Sequence, residues 1–291
     1  MNIQWYPGHM TKTRRMIAEN LKNVDLVAEV LDARIPDSSR NPDIDELVAG
    51  KPRLILFNRA DQADPAGNRL WEEHFREKGF AVLETNAKEG KGVREFPAAV
   101  RSVLKEKIDA WNAKGQVGHV IRVMIVGVPN VGKSTFINKV AKRKTAATGD
   151  RPGVTKSKQW VNVEQGMDLL DTPGILWPKF EDPETGRNLA YTGAVKDEIM
   201  DTETLGCYFM ELLSRRYPEA LASRYKLTGL APRGEEDLVA YGYDLLTRAG
   251  RGRGFLLSGG EVDTERMANV LLDEYRAGKL GRFTLELPKD N

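Results

Sequence analysis

Residues 127–134 form a glycine-rich segment, GVPNVGKS, whose composition suits a loop that binds phosphate groups. The segment directly follows the apolar run 120–126, and a helix is predicted to begin near Lys133, so it matches G-x-x-x-x-G-K-[ST] between a strand and a helix. The backbone N–H groups of such a loop and the positive end of the helix surround a β-phosphate. Nucleotide contacts are therefore predicted for Pro129, Asn130, Val131, Gly132, Lys133, Ser134 and Thr135.

Further residues are predicted to act on the terminal phosphate and its metal ion. Asp171 ends a predicted strand, where its carboxylate can reach Mg²⁺ through water. Ser134 and Thr155 are placed to supply hydroxyl ligands to the same ion, and Gly174 can offer its backbone N–H to the γ-phosphate. Lys133 places its charge on the β- and γ-phosphates. Lys133, Thr155 and Gly174 are therefore predicted to take part in catalysis.

Base recognition is predicted at two tetrapeptides that each follow a predicted strand, NRAD at 58–61 and TNAK at 85–88. The Asp61 carboxylate can accept two hydrogen bonds from guanine N1 and N2, whereas adenine would leave it unpaired. The Ala87 N–H can donate to guanine O6. The predicted ligands are therefore GTP and GDP, with base-side contacts from Asn58, Arg59, Asp61, Asn86, Ala87 and Lys88.

These loops need a scaffold that brings them to one edge, and the apolar pattern predicts a doubly wound, mostly parallel sheet. Short apolar runs alternate with helical stretches through the first two thirds of the chain. The predicted strands are residues 26–31, 53–57, 80–84, 120–126, 159–163 and 167–170. The predicted helices between them are residues 44–49, 66–78 and 93–111.

After Pro178, helical spacing of apolar residues replaces the strand pattern, and four helices are predicted. Their ranges are residues 189–200, 203–217, 235–249 and 263–277. The polar segment 181–186 is rich in helix- and strand-breaking residues and marks a boundary. The predicted domains are a basic N-terminal tail or helix (1–24), an α/β nucleotide domain (25–180) and a small all-helical domain (181–291).

The composition is that of a folded protein with an uneven charge distribution. Its 291 residues carry 44 basic and 42 acidic side chains, with a net charge of +7 in residues 1–180 and −5 in residues 181–291. A polyanionic partner is therefore expected at the first two thirds. No apolar run reaches about 18 residues and no secretory signal is recognised, so we expect a cytoplasmic protein without membrane contact. Cys207 is expected in the core.

The order of the motifs is unusual, because NRAD and TNAK precede GVPNVGKS, Thr155 and DTPG (171–174), whereas GTPases ordinarily place them last. The set in this rotated order resembles the circularly permuted GTPases of the ribosome biogenesis GTPase A (RbgA/YlqF) family. Residues 7–10 (PGHM), 32–36 (DARIP) and 278–281 (GKLG) fit that family as well. Arg59 departs from it, since the family usually has Lys at this position.

The resemblance implies a circularly permuted P-loop GTPase domain, GTP hydrolysis and a role as an assembly factor for the large (50S) ribosomal subunit. It also implies 23S rRNA and ribosomal proteins as partners. Because the permutation opens the chain beside the DTPG loop, we expect nucleotide state to set the orientation of the helical domain. Two alternatives stay open: a GTPase module of an RNA-modifying enzyme, and a GTP-binding switch with negligible hydrolysis.

Slow intrinsic hydrolysis is predicted from Ile175, which directly follows DTPG where many small GTPases place a water-orienting Gln. An apolar side chain cannot polarise water, so stimulation by the subunit is expected. His9 can orient or deprotonate water, and the resemblance also implies a catalytic part for it; an RNA contact or a helix start is the alternative. Asn130 resembles the residue that helps potassium-activated GTPases hold K⁺; a loop-stabilising hydrogen bond is the alternative.

Basic residues near these motifs favour an RNA partner. Residues 139–158, which surround Thr155, carry a net charge of +6. In the N-terminal tail, aromatic rings that can stack on unpaired bases accompany further cations. We predict RNA binding by a monomeric protein. The other candidate contacts are Trp5, Tyr6, Lys12, Arg14, Arg15, Lys22, Arg248, Arg251 and Arg253.

Overall fold

The computed structural model describes residues 9–142, 159–163, 166–177, 179–230 and 238–288. The chain separates into two compact units. The described part of the first unit lies within residues 9–180 and continues with 284–288, and the second unit comprises residues 181–283. The first unit therefore differs from the predicted domain 25–180, because it also includes the first helix of the chain and a segment that follows the second unit.

A single six-stranded sheet forms the centre of the first unit, with the strand order β3-β2-β1-β4-β6-β5. All neighbouring strands are parallel except β5 and β6, which form an antiparallel pair at one edge. This arrangement confirms the predicted doubly wound, mostly parallel sheet. The strands are Leu26–Asp32 (β1), Arg53–Asn58 (β2), Ala81–Glu84 (β3), Ile121–Val126 (β4), Gln159–Val163 (β5) and Met167–Asp171 (β6).

Six helices accompany the described part of this sheet. They are His9–Leu21 (α1), Pro42–Leu47 (α2), Pro65–Glu77 (α3), Phe96–Val103 (α4), Lys105–Ala113 (α5) and Lys133–Val140 (α6). The single helix predicted at 93–111 is divided at Leu104, whose backbone leaves the helical region with φ −95° and ψ 10°. The two segments have different environments, because α4 buries three of its side chains and α5 buries none.

Apolar side chains on one face of the sheet pack beneath the first three helices. Met10 and Ile17 of α1 share a cluster with Val27 of β1 and Met124 of β4, and all four side chains are fully buried. Beside it, Trp71 and other α3 residues pack with β1 and β2. Because every residue of β1 is buried, the opposite face is also covered. The near-continuous apolar strands are thus explained by burial on both faces.

The registers of the strands bring their carboxyl ends to one edge. Asp32 at the end of β1 pairs with Asn58 at the end of β2, and Asp171 at the end of β6 pairs with Ile125 of β4. Since parallel strands point the same way, the segments that follow β2, β3, β4 and β6 all leave at this edge. These four segments contain the NRAD, TNAK, GVPNVGKS and DTPG motifs.

Residues 284–288, here named the C-terminal strap, belong to the first unit although the second unit precedes them in sequence. The Leu285 N–H donates to the Arg34 carbonyl at 2.8 Å, and the Trp71 indole donates to the Glu286 carbonyl at 3.0 Å. Leu285 is fully buried. The strap is therefore an integral part of this unit, which the composition of residues 181–291 could not indicate.

The second unit is helical, as predicted, and its described residues contain no strand beyond one isolated bridge between Leu256 and Val262. The helix predicted at 189–200 is wrong in its extent, because α7 ends before Gly193, whose φ is +77°. A helix that begins at Pro218 was missed. The helices are Pro183–Tyr191 (α7), Thr202–Arg216 (α8), Pro218–Tyr225 (α9), Leu238–Gly252 (α10) and Thr264–Arg276 (α11), with a 3₁₀ turn at Asp197–Ile199.

Cys207 is buried in α8, as expected, and burial raises the pKa of its thiol to about 11. In the described part of the chain, none of the helices combines the length and apolar character that crossing a membrane requires.

Candidate nucleotide-binding site

The glycine-rich loop connects β4 to α6 and has the backbone conformation that its glycines allow. Gly132 immediately precedes α6 with φ +102° and ψ 20°, in the left-handed region that side chains disfavour. A Cβ atom at this position would also collide with the Asn58 amide nitrogen. Gly132 therefore lets the base-recognition segment approach the phosphate loop closely.

Lys133 lies inside this loop with only 6% of its surface exposed. Its Nζ donates to the carbonyls of Gly127 at 3.1 Å and Val128 at 2.9 Å. Burial lowers the pKa of the ammonium to about 8, and the nearby Asp171 carboxylate opposes this shift. The loop thus holds a buried cation on neutral carbonyls, an arrangement that an anion would stabilise.

Ser134 and Asp171 meet where the phosphate loop approaches the end of β6. The Ser134 hydroxyl donates to Asp171 Oδ2 at 2.7 Å. The second oxygen, Oδ1, is buried without a hydrogen-bond partner, and burial raises the pKa of this carboxyl despite the Ser134 and Lys133 contributions. A hydroxyl beside an incompletely satisfied carboxylate is a hard oxygen donor set that fits Mg²⁺.

These two donors need further ligands to complete a magnesium site. Among the described residues, no group of three or more His, Cys, Asp or Glu side chains could hold a metal by itself. Mg²⁺ is commonly held by one or two protein oxygens together with substrate phosphates. The donor set therefore suits an ion that arrives with a phosphorylated ligand.

Asn58 connects three of the four loops. Its Nδ2 donates to the Val131 carbonyl in the phosphate loop at 2.8 Å. Its Oδ1 accepts from the Ala87 N–H at 3.0 Å and from the Thr85 hydroxyl at 3.4 Å. The Ala87 N–H, predicted to meet guanine O6, thus donates to Asn58 in this structure, and a base contact would have to share it.

Arg59 makes a second bridge to the phosphate loop. Its Nη2 donates to the Asn130 carbonyl at 2.9 Å. Both residues have positive φ, +60° for Arg59 and +56° for Asn130, although neither is glycine. Asp61 follows two residues later and is exposed, so its carboxylate is accessible to a ligand.

The remaining base-side residues shape the TNAK loop. Asn86 Oδ1 accepts from the Glu89 N–H at 3.0 Å and fixes the turn, while Lys88 is exposed. The Lys88 carbonyl accepts from Lys139 Nζ at 3.3 Å, which ties this loop to the end of α6. Thr135 is half-buried in the first turn of α6.

The DTPG segment lies directly against the phosphate loop. A Cβ atom at Gly174 would lie 2.5 Å from Pro129 Cα, so only glycine permits this approach. The next residue, Ile175, donates its N–H to the Gly127 carbonyl at 3.2 Å. Its side chain is fully buried with Met10 and Ile17 of α1. Sequence reasoning missed this packing, which connects the DTPG segment to the N-terminal helix.

Of the two remaining predicted catalytic residues, the structure describes His9 but not Thr155. His9 is the first residue of α1 and directly precedes Met10, which packs with Ile175. Thr155 lies outside the described residues, as does most of the basic segment 139–158 and the aromatic pair at 5–6.

Several of the cations that were predicted to contact RNA form salt bridges within the chain. Arg14 pairs with Asp43 at 2.9 Å, and Arg15 pairs with Glu19 on the same helix. Arg253 pairs with Glu274 at 3.1 Å. Lys12, Lys22 and Arg251 are exposed. Arg14, Arg15 and Arg253 thus have structural partners that any RNA would have to replace or share.

Comparison with known proteins gives concordant matches. Residues 122–203 match the family model described as 50S ribosome-binding GTPase. The chain is 48% identical to ribosome biogenesis GTPase A of Bacillus cereus over 290 residues, covering 100% of this chain and 95% of the relative. It is 32% identical to the same-named Thermotoga maritima protein, covering 99% and 95%. The crystal structure of GNP-bound YlqF from T. maritima matches with a TM-score of 0.64 at 30% identity, covering 96% of this chain and 100% of that one.

Proposed function

The chain belongs to the ribosome biogenesis GTPase A family, and from this premise we propose how its residues bind and hydrolyse GTP during assembly of the large ribosomal subunit. The protein is a GTPase of ribosome biogenesis with a circularly permuted nucleotide domain. We propose four further features: the residues that contact the nucleotide, the metal ion, the residue that promotes hydrolysis, and the RNA partner.

The observation that carries the site proposal is the position of Asn58. Its amide is bonded at once to Val131 in the phosphate loop and to Ala87 in the TNAK loop. A base held by Asp61 and the TNAK loop is thereby placed at a fixed distance from the phosphates held by residues 129–135. Guanine is favoured because the exposed Asp61 carboxylate can accept from both N1–H and N2–H, which adenine lacks on that edge.

Mg²⁺ fits the oxygen donors of Ser134 and Asp171, with Thr155 proposed as a further ligand. When bound, this ion neutralises charge that develops on the phosphate oxygens. Lys133 places its ammonium within the loop, and Gly174 is proposed to offer its N–H to the γ-phosphate. K⁺ is proposed beside Asn130, since an amide oxygen on the phosphate loop suits a monovalent cation.

Slow intrinsic turnover is proposed because Ile175 is buried in the core and cannot orient water. His9 is proposed to supply this function when the protein is bound to the ribosomal subunit. Supporting this role, Met10 packs in the same cluster as Ile175, so the start of α1 is close to the DTPG segment along a continuous packed surface. The burial of Ile175 also favours the second candidate, a switch with negligible hydrolysis.

The proposed RNA contacts are the basic segment 139–158 and the N-terminal tail. Docking both on RNA is proposed to bring Thr155 and His9 to the terminal phosphate. The same docking is proposed to raise turnover and to couple nucleotide state to the orientation of the helical unit. The fully engaged cations, such as Arg253, are weaker candidates for this contact than the exposed Lys12.

GTP turnover measured with and without purified large subunits, in potassium and then in sodium buffer, tests these proposals together. We expect slow turnover by the protein alone, a marked increase with subunits, and a further difference between potassium and sodium buffer.

His9→Ala should lose most of the stimulation by subunits while binding subunits and GTP normally. Lys12→Ala, on the same helix, serves as the matched control and should weaken subunit binding in a salt-dependent way. Full stimulation of His9→Ala would leave His9 with a structural or RNA-contact role, and the absence of stimulation would favour the switch.

A further inference from the structure

Asp32, at the end of β1, carries a buried carboxylate whose role the nucleotide motifs do not explain. Its side chain is 4% exposed, and that of its neighbour Arg34 is fully buried. Arg34 binds both carboxylate oxygens, with Nε at 2.8 Å from Oδ1 and Nη2 at 2.7 Å from Oδ2. Burial by itself would raise the pKa of Asp32, but the Arg34 charge and hydrogen bonds outweigh it and lower this pKa. The carboxylate is therefore a fixed negative charge.

The same carboxylate faces the base-recognition segment on the next strand. Asp32 pairs in register with Asn58, so the residue after Asn58 begins beside it. Arg59 Nε lies 3.8 Å from Asp32 Oδ2, while the Arg59 Nη2 donates to the Asn130 carbonyl at 2.9 Å. One guanidinium thus spans from a buried carboxylate to the phosphate loop.

The bridge between Arg59 and Asn130 joins two residues whose backbone conformations are unfavourable. Arg59 and Asn130 both occupy the left-handed region, which residues other than glycine adopt far less readily. Such conformations persist where the surrounding contacts hold them, and here the two strained residues are bonded to each other. A lysine ammonium is a point charge, whereas the Arg59 guanidinium can contact two acceptors in different directions.

We propose that Asp32 is a positioning residue for guanine nucleotide binding, acting through Arg59. The buried Asp32–Arg34 pair provides a fixed anchor for the Arg59 guanidinium. Arg59 in turn holds the Asn130 carbonyl, so that the base-recognition segment and the phosphate loop keep the separation that a nucleotide requires. This inference rests on the proposed function, because it assumes that both segments contact the same nucleotide.

A double-mutant cycle on GDP binding tests the proposal. Removing Asp32 alone would leave the Arg34 cation buried without its partner, so both are replaced together in Asp32→Asn/Arg34→Met, which leaves no unpaired buried charge. The Arg34 carbonyl, which binds the strap, is retained. We expect this variant to bind GDP about tenfold more weakly and to release it faster, and Arg59→Met to show a similar loss. Combining all three substitutions should add less than about twofold to the loss of Arg59→Met.

The kinetic signature separates positioning from general damage. At saturating GTP, turnover by Asp32→Asn/Arg34→Met should stay near the wild-type value while KM rises. Asp37→Asn, an exposed carboxylate on the same loop, is the matched control and should bind GDP normally. Equal GDP affinity in wild type and Asp32→Asn/Arg34→Met would overturn the proposal, as would losses that simply add to those of Arg59→Met. A wild-type protein that binds no GDP would instead contradict the proposed function itself.

Discussion

The hydroxyl of Ser134 and the carboxylate of Asp171 lie 2.7 Å apart, although the two residues are 37 positions apart in the sequence. The contact joins the start of α6 to the end of β6 and buries a carboxylate whose second oxygen has no hydrogen-bond partner. The Ser134 hydroxyl thus satisfies one Asp171 oxygen, Oδ2, that could also bind a cation. Removal of the Ser134 hydroxyl is expected to affect metal-dependent chemistry more than the stability of the fold.

Ser134→Ala should lower kcat/KM for GTP at least about tenfold, because one hydroxyl that holds the metal and phosphate geometry is lost. The melting temperature should change little, since the unpaired Asp171 carboxyl can take up a proton instead of remaining charged. Turnover at several Mg²⁺ concentrations and a thermal melt measure the two effects. Ser102→Ala, an exposed serine of α4, is the control. Unchanged turnover at every Mg²⁺ concentration would contradict the assignment.

Nucleotide binding should depend on pH through Lys133. Its pKa in the free protein is about 8, below its ordinary value of 10.5, because of burial. An anionic phosphate beside it favours the charged form and raises that pKa, so binding takes up a proton above pH 8. GDP affinity should be constant near pH 7 and decline above pH 8, by at most about tenfold per pH unit.

The control for this pH dependence is Lys133→Arg, which keeps its charge throughout the same range. Its GDP affinity is expected to be lower than that of the wild type but flat with pH. Calorimetry in buffers of different ionisation enthalpy would also detect the proton taken up by the wild type. A flat wild-type profile from pH 7 to about 9, below the ionisation of guanine N1–H, would mean that the Lys133 ammonium does not contact the phosphates.

Guanine preference should depend on Asp61. Asp61→Asn replaces one acceptor by a donor facing guanine N1–H or N2–H, which should cost about 1–3 kcal/mol of guanine preference. The variant should also gain affinity for xanthine nucleotides, which have an acceptor at that edge. Competition binding with GDP, ADP and XDP measures the change, and Asp109→Asn on the exposed surface of α5 is the control. Equal ADP and GDP affinity in the wild type would refute the assignment.

The loop positions could be predicted from sequence, because each motif has a fixed relation to the strand before it. The strand predicted at 159–163 agrees with β5 residue for residue, and the others differ by at most one residue at either end. Helix ends were less certain. No helix was predicted at 218–225, although proline is well suited to the first turn of a helix, which is where Pro218 lies in α9.

What sequence could not give is the side-chain bonding between loops. The donation of Ala87 to Asn58 depends on the spacing of β2 and β3, and the burial of Ile175 depends on where α1 crosses the sheet. Asp32 was noted only as part of a family motif. Its function as an anchor arises from the register of β1 on β2, which a linear pattern does not contain.

The strap makes the effect of Gly67→Ala depend on residues far along the chain. A Cβ atom at Gly67 would lie 2.7 Å from Thr284 Oγ1, the same hydroxyl that accepts from the Asp64 N–H at 3.1 Å. In the intact chain the substitution should therefore lower the melting temperature. In a chain truncated after Phe283 it should raise it, since alanine is favoured over glycine in a helix by up to about 1 kcal/mol.

Thermal melts of the four combinations measure this reversal of sign. Gly79→Ala, where φ is +83° with nothing within 4 Å of a Cβ, provides a control that should be destabilising in both backgrounds. If Gly67→Ala had the same effect with and without residues 284–291, the contact of the strap with α3 would not contribute to stability.

Because the strap belongs to the first unit, the described part of the chain, from residue 9 to residue 288, passes between the two units twice, once before α7 and once after Phe283. A protease that cuts either crossing therefore leaves the units covalently joined through the other, and two cuts are needed to free the helical unit. The position of the strap also determines when the first unit can be completed during synthesis. The nascent chain delivers the whole sheet before any of the helical unit, but the sites on Arg34 and Trp71 receive their partners only after that unit has been made.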